Sequence, residues 1–204
     1  MRKIEKIIAK FYSEKIRNFG NSHKGVGWKS KKDQYIRFEQ LIYFFDMNDS
    51  TIHDFGCGNG EFLNFLIKKK IKFKNYLGTD ISQNMIDSCK KKYGYNKKFS
   101  FQNLNIDKIP NYDFIIASGI FNIKNNIVTN EWEKYFYSSI TKMYQKSKKG
   151  LSFNVLTFDT TFKNSKNFYP DLVKLIKFIR KKLTKKIIIN HSYRLWEYTV
   201  YLYK

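Results

Sequence analysis

The feature that most constrains the fold is a regular alternation of short apolar runs with amphipathic segments from Thr51 to the C-terminus. The short runs have the length and composition of strands, and the amphipathic segments carry apolar residues at helical spacing. The predicted strands cover 51–55, 75–80, 99–104, 113–118, 151–157, 186–190 and 197–203. The predicted helices cover 61–70, 82–93, 131–146 and 171–183. Repeated β-α-β units imply a parallel sheet with helices on both faces, and the last two strands read as an antiparallel hairpin.

Residues 1–47 precede this alternation and contain two further predicted helices, over 4–19 and 33–47, joined by a polar, glycine-bearing loop. The first of these helices is amphipathic, and we expect it to pack on the domain; a membrane-surface helix is the alternative. We expect the segment 20–37 to fold over the sheet as a lid. The 204 residues suit one domain, with the N-terminal helices and lid in front of a core at 48–204.

The net charge of +22 arises from 39 basic and 17 acidic residues. Only five of the basic residues are arginines, and the chain is also rich in Asn, Ile, Phe and Tyr, the residues that AT-rich codons favour. Codon bias therefore accounts for much of the charge, and direct base readout relies on the scarce arginine fork. We expect a positive surface that attracts a small anionic molecule, with nucleic acid as the less favoured partner.

Neither a membrane span nor a secretory leader is expected from this sequence. No run approaches the length of uninterrupted apolar sequence that a spanning helix needs, and the first residues contain Glu5 and Lys10 where an apolar leader would lie. The two cysteines, Cys57 and Cys89, do not form a C-x-x-C pair. The cytoplasm is the expected compartment.

Three glycines, Gly56, Gly58 and Gly60, alternate at the junction between the first predicted strand and the next helix. Glycine permits the positive φ angles of a tight turn and allows a ligand to approach the backbone closely. The dinucleotide-binding fingerprint is G-x-G-x-x-G, and this chain has Glu61 in the place of its third glycine. Because that carboxylate would oppose a pyrophosphate, we expect a ligand that is uncharged or cationic at this end.

The run from Asp54 to Gly60, DFGCGNG, resembles the first motif of the class I S-adenosylmethionine-dependent methyltransferases. Asp80, at the end of the second predicted strand, matches the family's acidic residue that accepts hydrogen bonds from both ribose hydroxyls. The segments 78–87, 99–110 and 117–122 resemble the family's following motifs, with Asn105 in place of the commoner Asp that contacts the adenine amino group.

The resemblance covers nearly the whole chain and implies a Rossmann-like, doubly wound α/β fold. The implied seven-stranded sheet has the order 3-2-1-4-5-7-6, with an antiparallel C-terminal hairpin strand. It also implies S-adenosylmethionine as cofactor, S-adenosylhomocysteine as product and no metal. The predicted cofactor-binding residues are Asp54, Gly56, Cys57, Gly58, Gly60, Asp80, Ile81, Asn105, Ile106, Ser118, Trp28 and Arg37. Trp28 is a candidate to stack on adenine or to close a core, and Arg37 to pair with the methionine carboxylate or to carry a surface charge.

The loops at the carboxyl ends of the strands are the expected place for the methyl acceptor. The candidate catalytic residues are His191, Tyr193 and His23, and the candidate substrate residues are Asn122, Lys124 and Arg194. His53 lies inside the first predicted strand, so we expect a packed core residue. No cysteine is placed as a nucleophile.

The favoured function is methyl transfer to a small, anionic acceptor, at oxygen more than at nitrogen. The C-terminal run HSYRLWEYTVYLY resembles the ending of small bacterial class I methyltransferases that act on small molecules, such as surface-glycan or secondary-metabolite precursors. An RNA methyltransferase that uses the lysine-rich surface is one alternative. A non-catalytic domain that binds S-adenosylmethionine and regulates a partner is another. The sequence does not determine the oligomeric state.

Overall fold

The computed structural model describes residues 3–20, 22–23, 25–26 and 30–204. The helices are α1 Lys3–Phe19, α2 Lys31–Ile42, α3 Glu61–Lys68, α4 Gln83–Tyr93, α5 Thr129–Lys146 and α6 Leu172–Lys182. The strands are β1 Thr51–Phe55, β2 Asn75–Asp80, β3 Phe99–Asn103, β4 Tyr112–Ala117, β5 Ser147–Leu156, β6 Ile187–Asn190 and β7 Glu197–Tyr203. A short 3-10 helix, Ile106–Lys108, precedes β4.

The strands form one seven-stranded sheet in the order β3-β2-β1-β4-β5-β7-β6. Strands β1 to β5 pair in parallel, whereas β7 pairs antiparallel with both β5 and β6. The order changes direction between β1 and β4, and in such sheets ligands bind beyond the carboxyl ends of the strands at this point. The predicted fold class, strand order and C-terminal hairpin are confirmed.

Strand β4 shows how the sheet divides the core into two layers. Phe114 and Ile116 pack into the layer that contains α2 and α3, whereas Ile115 and Ala117 pack into the layer that contains α5 and α6. Side chains alternate between the two faces of a strand, so four consecutive apolar residues are needed where both faces are covered. The continuous apolar run of β4 therefore follows from helices on both sides of it.

The element boundaries differ from the predicted ones where local pattern is ambiguous. Strand β5 begins at Ser147, directly after α5, four residues before the predicted start, and its pairing with β4 is irregular between Tyr112 and Phe114. Helix α2 ends at Ile42 rather than at residue 47. The end of a helix depends on packing as well as on propensity, because apolar residues beyond the last turn can still enter the core, as Phe45 does.

Helix α1 packs on the domain, as expected, and its partner is α4. Ile8 and Ile16 are buried, and the hydroxyl groups of Ser13 and Ser82 lie 2.7 Å apart. Among the described residues, no helix is both long enough and apolar enough to cross a membrane. The amphipathic pattern of α1 therefore reflects burial against the protein.

Candidate functional site

The glycine turn closes the carboxyl end of β1 against the end of β2. The amides of Gly56 and Cys57 both donate to the carbonyl oxygen of Thr79, at 2.8 and 2.9 Å. Gly56 has a φ of 77°, and a Cβ atom there would lie 2.3 Å from the side chain of Ile120. Gly58 has a φ of 53°, in the left-handed region that favours glycine. Larger residues at these two positions would strain the backbone and narrow the adjacent cavity.

Asp80, the last residue of β2, is held by two backbone amides. Its Oδ2 accepts from the amide of Gly58 at 3.1 Å, and its Oδ1 accepts from the amide of Ser82 at 2.8 Å. Burial raises the pKa of Asp80 to about 6, although the backbone hydrogen bonds oppose the shift. The carboxylate is thus fixed in place at the mouth of the turn, and it is ionised near neutral pH.

Asp54, on β1, lies beside Asp80 of the neighbouring strand and is 1% exposed. The hydroxyl of Tyr76 donates to its Oδ2 at 2.6 Å. Burial raises the pKa of Asp54 to about 7; the Tyr76 hydrogen bond opposes this shift, and the negative charge of Asp80 adds to it. Two neighbouring carboxyl groups with raised pKa values indicate a place where a positive ligand would be stabilised.

Asp54 and Asp80 both line a cavity at the ends of β1, β2 and β4. Glu61, the first residue of α3, also lines it. Among the described lining residues there is no Lys, Arg or His, although the chain has 39 basic residues and 17 acidic ones. The cavity is therefore acidic inside a strongly basic protein.

Glu61 is fixed by three donors. Its Oε1 accepts from the hydroxyl of Tyr35 at 2.8 Å and from the side-chain Nδ2 of Asn64 at 2.7 Å. Its Oε2 pairs with Nζ of Lys92 at 2.9 Å. Burial would raise the pKa of Glu61, but these hydrogen bonds outweigh it and hold the pKa below its ordinary value. Glu61 therefore stays ionised and oriented at the start of α3.

Helix α1 supplies a roof for the cavity. Ile8 and Tyr12 line it, and burial together with the charge of Asp80 raises the pKa of Tyr12 well above its ordinary value. Val26 and Gln34, from the segment predicted to be a lid, line the cavity as well. The cavity is consequently enclosed by the N-terminal region of the chain.

Helix α2 is held to the C-terminal hairpin by a row of three polar contacts, which we call the α2 seam. They are Asp33 Oδ1 with Arg194 Nη2 at 2.7 Å, Arg37 Nε with Glu197 Oε2 at 2.8 Å, and Gln40 Oε1 with Asn190 Nδ2 at 2.7 Å. The three helix positions lie one turn apart on one face. The adjacent face places Gln34 and Phe38 in the cavity. The seam thus fixes one wall of the site.

The structure brings together most of the residues predicted to bind the cofactor. Of these, Asp54, Gly56, Cys57, Gly58, Asp80, Ile81 and Ser118 line the cavity, and so does Asn122, which was predicted to contact the substrate. Trp28 lies outside the described residues. Among the described residues, no three His, Cys, Asp or Glu side chains lie close enough together to hold a metal ion.

Four other predicted residues do not line the cavity. Gly60 is the N-cap of α3, and its carbonyl accepts from the hydroxyl of Tyr93. Asn105 accepts from the amide of Asp107 and caps the 3-10 helix, while Ile106 is buried in the core. Arg37 lies in the α2 seam.

The predicted catalytic and substrate residues are more scattered. His191 is exposed and lines a separate cleft of about 790 Å³ with Tyr198. The hydroxyl of Tyr193 lies 2.8 Å from that of Thr199. Three more predicted residues lie away from the lining: His23 is half-buried in the loop after α1, Arg194 lies in the α2 seam, and Lys124 donates to the carbonyl of Ile127. His53 is fully buried in β1, as expected, and burial lowers its pKa to about 3.

The lining also contains residues that the sequence interpretation missed. Leu104 lies there instead of its neighbour Asn105, and Ile8, Tyr12 and Tyr135 contribute from α1 and α5. An Asn side chain often accepts a hydrogen bond from the backbone amide two residues later, here that of Asp107. This local cap signal could have excluded Asn105 from the predicted cofactor-binding residues. No sequence signal identifies the α1 residues, because their place depends on how α1 packs.

Comparison with known proteins agrees with this geometry. A family model described as a methyltransferase domain matches residues 53–134. The methyltransferase Rv1506c of Mycobacterium tuberculosis is 28% identical over 157 residues, which are 76% of this chain and 93% of that protein. Ribosomal RNA small subunit methyltransferase A of Mesomycoplasma hyopneumoniae is 32% identical over 107 residues, which are 52% of this chain and 36% of that protein.

Solved structures share the fold at low sequence identity. Magnesium protoporphyrin IX methyltransferase from Synechocystis, with bound S-adenosylhomocysteine, superimposes with a TM-score of 0.66 at 13% identity, over 97% of this chain and 98% of that one. The N-methyltransferase NodS from Bradyrhizobium japonicum, also with S-adenosylhomocysteine, gives 0.66 at 11% identity, over 95% and 96%.

Proposed function

We propose that this chain is a class I S-adenosylmethionine-dependent methyltransferase, that its acidic cavity binds S-adenosylmethionine and that a methyl group passes from there to a small acceptor. The observation that carries the proposal is the pairing of the glycine turn with Asp80. The turn brings glycine backbone to the cavity, and two backbone amides hold the carboxylate of Asp80, which also lines it.

We assign Asp80 to the ribose hydroxyls, with Ile81 and Leu104 against the adenine. The backbone of Gly56 and Gly58, which has no Cβ atoms to fill the space, would lie against the methionine part. The Arg37 side chain is engaged with Glu197, so we leave it out of the proposed set. Asn105 and Ile106 stay predictions for the adenine end.

Two carboxyl groups suit this ligand because its sulfonium and ammonium groups are positive. Asp54 and Asp80 would each contribute a favourable Coulomb term when ionised, whereas Lys92 and Lys31, at 2.9 and 3.7 Å, offset the charge of Glu61. When bound, the sulfonium supplies an activated methyl group with a good leaving group. The protein then has to hold the acceptor in line with the methyl carbon, and positioning of this kind supplies roughly 7–11 kcal/mol.

The acceptor we propose is small and carries negative charge, with transfer to oxygen favoured over nitrogen. The net charge of +22 supports an anionic molecule, because a lysine-rich surface attracts it from solution. The roof formed by α1 supports a small one. A glycan or secondary-metabolite precursor and the cytoplasm as the place of action stay predictions.

Removal of a proton from a hydroxyl acceptor would need a base. His191, Tyr193 and His23 stay the candidates, and a base adds about 10²–10⁴-fold in rate. His191 would reach a reacting group only from an acceptor that extends between the cavity and the cleft of His191. Lys124 and Arg194 stay candidates for the outer part of such an acceptor.

An RNA substrate is the second candidate, favoured by the 32% identity to a ribosomal RNA methyltransferase. The chain spans about a third of that relative's length. Binding to RNA through lysines would weaken steeply with salt. A labelled RNA hairpin that binds with micromolar or better affinity at physiological salt, and accepts methyl groups, would replace the small-molecule assignment.

The proposal is tested by calorimetry with S-adenosylmethionine and S-adenosylhomocysteine on the wild type, Asp80→Ala and the control Asp87→Ala. Asp87 is an exposed Asp on α4, outside the cavity. Loss of two hydrogen bonds to a charged acceptor, at about 1.5–3 kcal/mol each, should weaken binding about 10²–10⁴-fold in Asp80→Ala. Asp87→Ala should bind like the wild type. A wild type that ignores both ligands, or an Asp80→Ala with unchanged affinity, contradicts the assignment.

A further inference from the structure

The edge of the sheet opposite the cavity is rich in lysine. The cavity lies at the carboxyl ends of β1, β2 and β4, so the segments that lead into the parallel strands lie at the other edge. Strand β6 begins and β7 ends there as well, because β7 runs antiparallel to both β5 and β6. Five segments at this edge, which we call the basic edge, contain 15 of the chain's 39 basic residues within 20 positions, and all 15 are lysines. They are 68–74, 97–98, 146–149, 181–186 and Lys204.

Hydrogen bonds connect these segments into one continuous surface. The amide of Lys74 donates to the carbonyl of Ser50 at 2.9 Å, and Nζ of Lys149 donates to the hydroxyl of the same serine at 3.1 Å. The amide of Lys204 donates to the carbonyl of Lys149 at 3.0 Å, and Nζ of Lys186 donates to the carbonyl of Lys204 at 3.0 Å. Strand β3 pairs with β2 from its first residue, which adds the segment before β3 to the same edge.

The charge of the basic edge is only partly balanced. All fifteen lysines are exposed. Four acidic residues lie near the same edge: Glu39 pairs with Lys69 at 2.6 Å, Asp46 and Asp49 lie in the loop before β1, and Asp113 lies near the start of β4. The lysines therefore outnumber these carboxylates by more than three to one, and the edge presents a strong positive potential to solvent.

Two general causes of lysine enrichment do not account for this placement. Codon bias raises the number of lysines but does not select their positions in the fold. A lysine in the last turn of a helix is stabilised by the helix dipole, which accounts for Lys68, Lys146, Lys181 and Lys182. The other eleven lie beyond the helix ends, where this effect falls off.

Exposed aromatic rings accompany the lysines. Tyr95 is 91% exposed and lies two residues before Lys97, and Tyr43 is 69% exposed and follows α2 directly, in the segment that leads to Ser50. Lysines that track a phosphate backbone and aromatic rings that stack on bases are the two components of single-stranded nucleic acid binding. The edge spans seven strands, roughly 29 Å at about 4.8 Å per strand, a length that several successive nucleotides can follow. An anionic membrane also attracts lysines, but stable attachment there needs an apolar anchor as a second signal.

We propose that the basic edge binds a single-stranded nucleic acid, with its lysines against the phosphates and with Tyr43 and Tyr95 against the bases. Binding there does not depend on base sequence, because the five segments contain no arginine to read base edges. The strands between this edge and the cavity are five or six residues long, which is roughly 16–20 Å. The bound nucleic acid is therefore a partner of the protein and not its methyl acceptor.

Fluorescence anisotropy with labelled ten-nucleotide oligouridylate and oligoadenylate tests this inference. At about 0.1 M salt, both should bind with a Kd of about 1–100 µM. The slope of log affinity against log salt concentration should be roughly −4 to −6, at about −0.7 for each of six to eight phosphates. No binding at the upper end of this range, or a slope shallower than about −2, overturns the proposal.

Two fourfold variants with the same net charge separate the basic edge from the charge of the whole protein. The edge variant carries Lys72→Glu, Lys98→Glu, Lys148→Glu and Lys185→Glu, and the control variant carries Lys6→Glu, Lys10→Glu, Lys163→Glu and Lys166→Glu. All eight lysines are exposed. The edge variant should bind RNA at least about 100-fold more weakly and lose about 3 from the slope, whereas the control should stay within about fivefold of the wild type. Equal loss in both variants overturns the proposal. Glutamine at the same eight positions serves if a Glu variant does not fold, with an edge-specific loss of at least about tenfold.

The tyrosines and a membrane probe distinguish a nucleic acid from other anions. Tyr43→Ala with Tyr95→Ala should weaken oligoadenylate binding at least about fivefold, the loss expected for one stacked base, and should leave the salt slope unchanged. Unchanged affinity in this variant overturns the assignment to single strands. Vesicles with about 30% phosphatidylserine that bind the protein more tightly than RNA does, and lose it in the edge variant, would assign the edge to a membrane instead.

The affinity for S-adenosylhomocysteine separates this inference from the proposed function. It should stay within threefold of the wild type in the edge variant, and saturating S-adenosylhomocysteine should not displace the RNA. Displacement would place the RNA in the cavity and overturn the proposal. A protein that binds RNA at the edge but ignores S-adenosylhomocysteine contradicts only the proposed function.

Discussion

Cofactor affinity should fall steeply with decreasing pH, because two carboxyl groups in the cavity have raised pKa values. In the free protein the pKa of Asp80 is about 6 and that of Asp54 is about 7. Binding of a positive ligand favours the ionised forms. The affinity is therefore fully present above these pKa values and is lost as the pH falls through them.

The magnitude follows from the fraction of protein that is ionised. Between about pH 8 and about pH 5, a requirement for ionised Asp80 alone lowers the affinity about tenfold. A requirement for both ionised groups multiplies in a further factor of about 100 from Asp54, giving roughly 10³-fold in total. The slope of log affinity against pH should approach two below about pH 6 in the second case and one in the first.

Calorimetry with S-adenosylmethionine across this pH range measures the effect, and the variants identify its source. Asp80→Asn should bind weakly and lower the slope by about one. His23→Gln and His191→Gln should leave the slope unchanged, because neither histidine is among the described residues that line the cavity. An affinity that varies less than threefold, or a slope that depends on either histidine, would refute the reasoning.

Two further predictions concern stability, measured as free energies of unfolding in urea. Asp54→Asn should stabilise the free protein at about pH 8 by up to ~4 kcal/mol, because the variant no longer has to keep ionised a buried group whose pKa is about 7. The same substitution should abolish cofactor binding, and unchanged stability would show that the Asp54 carboxylate is accessible to water. Arg37→Met should destabilise the protein by about 3–5 kcal/mol, because it leaves Glu197 buried without its partner, and adding Glu197→Gln should recover most of that loss. A single variant as stable as the double one would show that burying Glu197 without Arg37 has no cost.

The parts of the fold that could be predicted from the sequence are those determined by local pattern. The continuous apolar run of β4 indicates a strand covered on both faces, and the three glycines after Asp54 indicate a tight turn before a helix. Asp80 could be placed because the end of a neighbouring parallel strand meets the same edge of the sheet. Each of these inferences needs only the chain within one β-α-β unit.

The walls of the cavity could not be predicted in this way. Ile8 and Tyr12 contact the cavity only because α1 packs against α4, more than 60 residues away in sequence. Arg37 looked available for a carboxylate ligand, but its partner Glu197 comes from the last strand. Contacts across such separations leave no periodic pattern in the sequence.

The shift from Asn105 to Leu104 has a local cause of another kind. The side chain of Asn105 accepts a hydrogen bond from the amide of Asp107 at 3.0 Å and so starts the 3-10 helix. The side-chain oxygen of Asn105, the atom expected to accept from adenine, is thus already bonded to the backbone. The residue that precedes it then lines the cavity.

The cavity and the surface of this protein have opposite charge. Net charge alone therefore does not tell both which molecules approach the surface and which group enters the cavity. The exposed lysines act through water and salt, which screen them beyond about 8 Å. Asp54 and Asp80 act at short range beside the ends of β1 and β2, where the dielectric is lower and each charge counts for more. The excess of +22 therefore bears on which molecules approach the surface, while these two carboxyl groups bear on which group can enter the cavity.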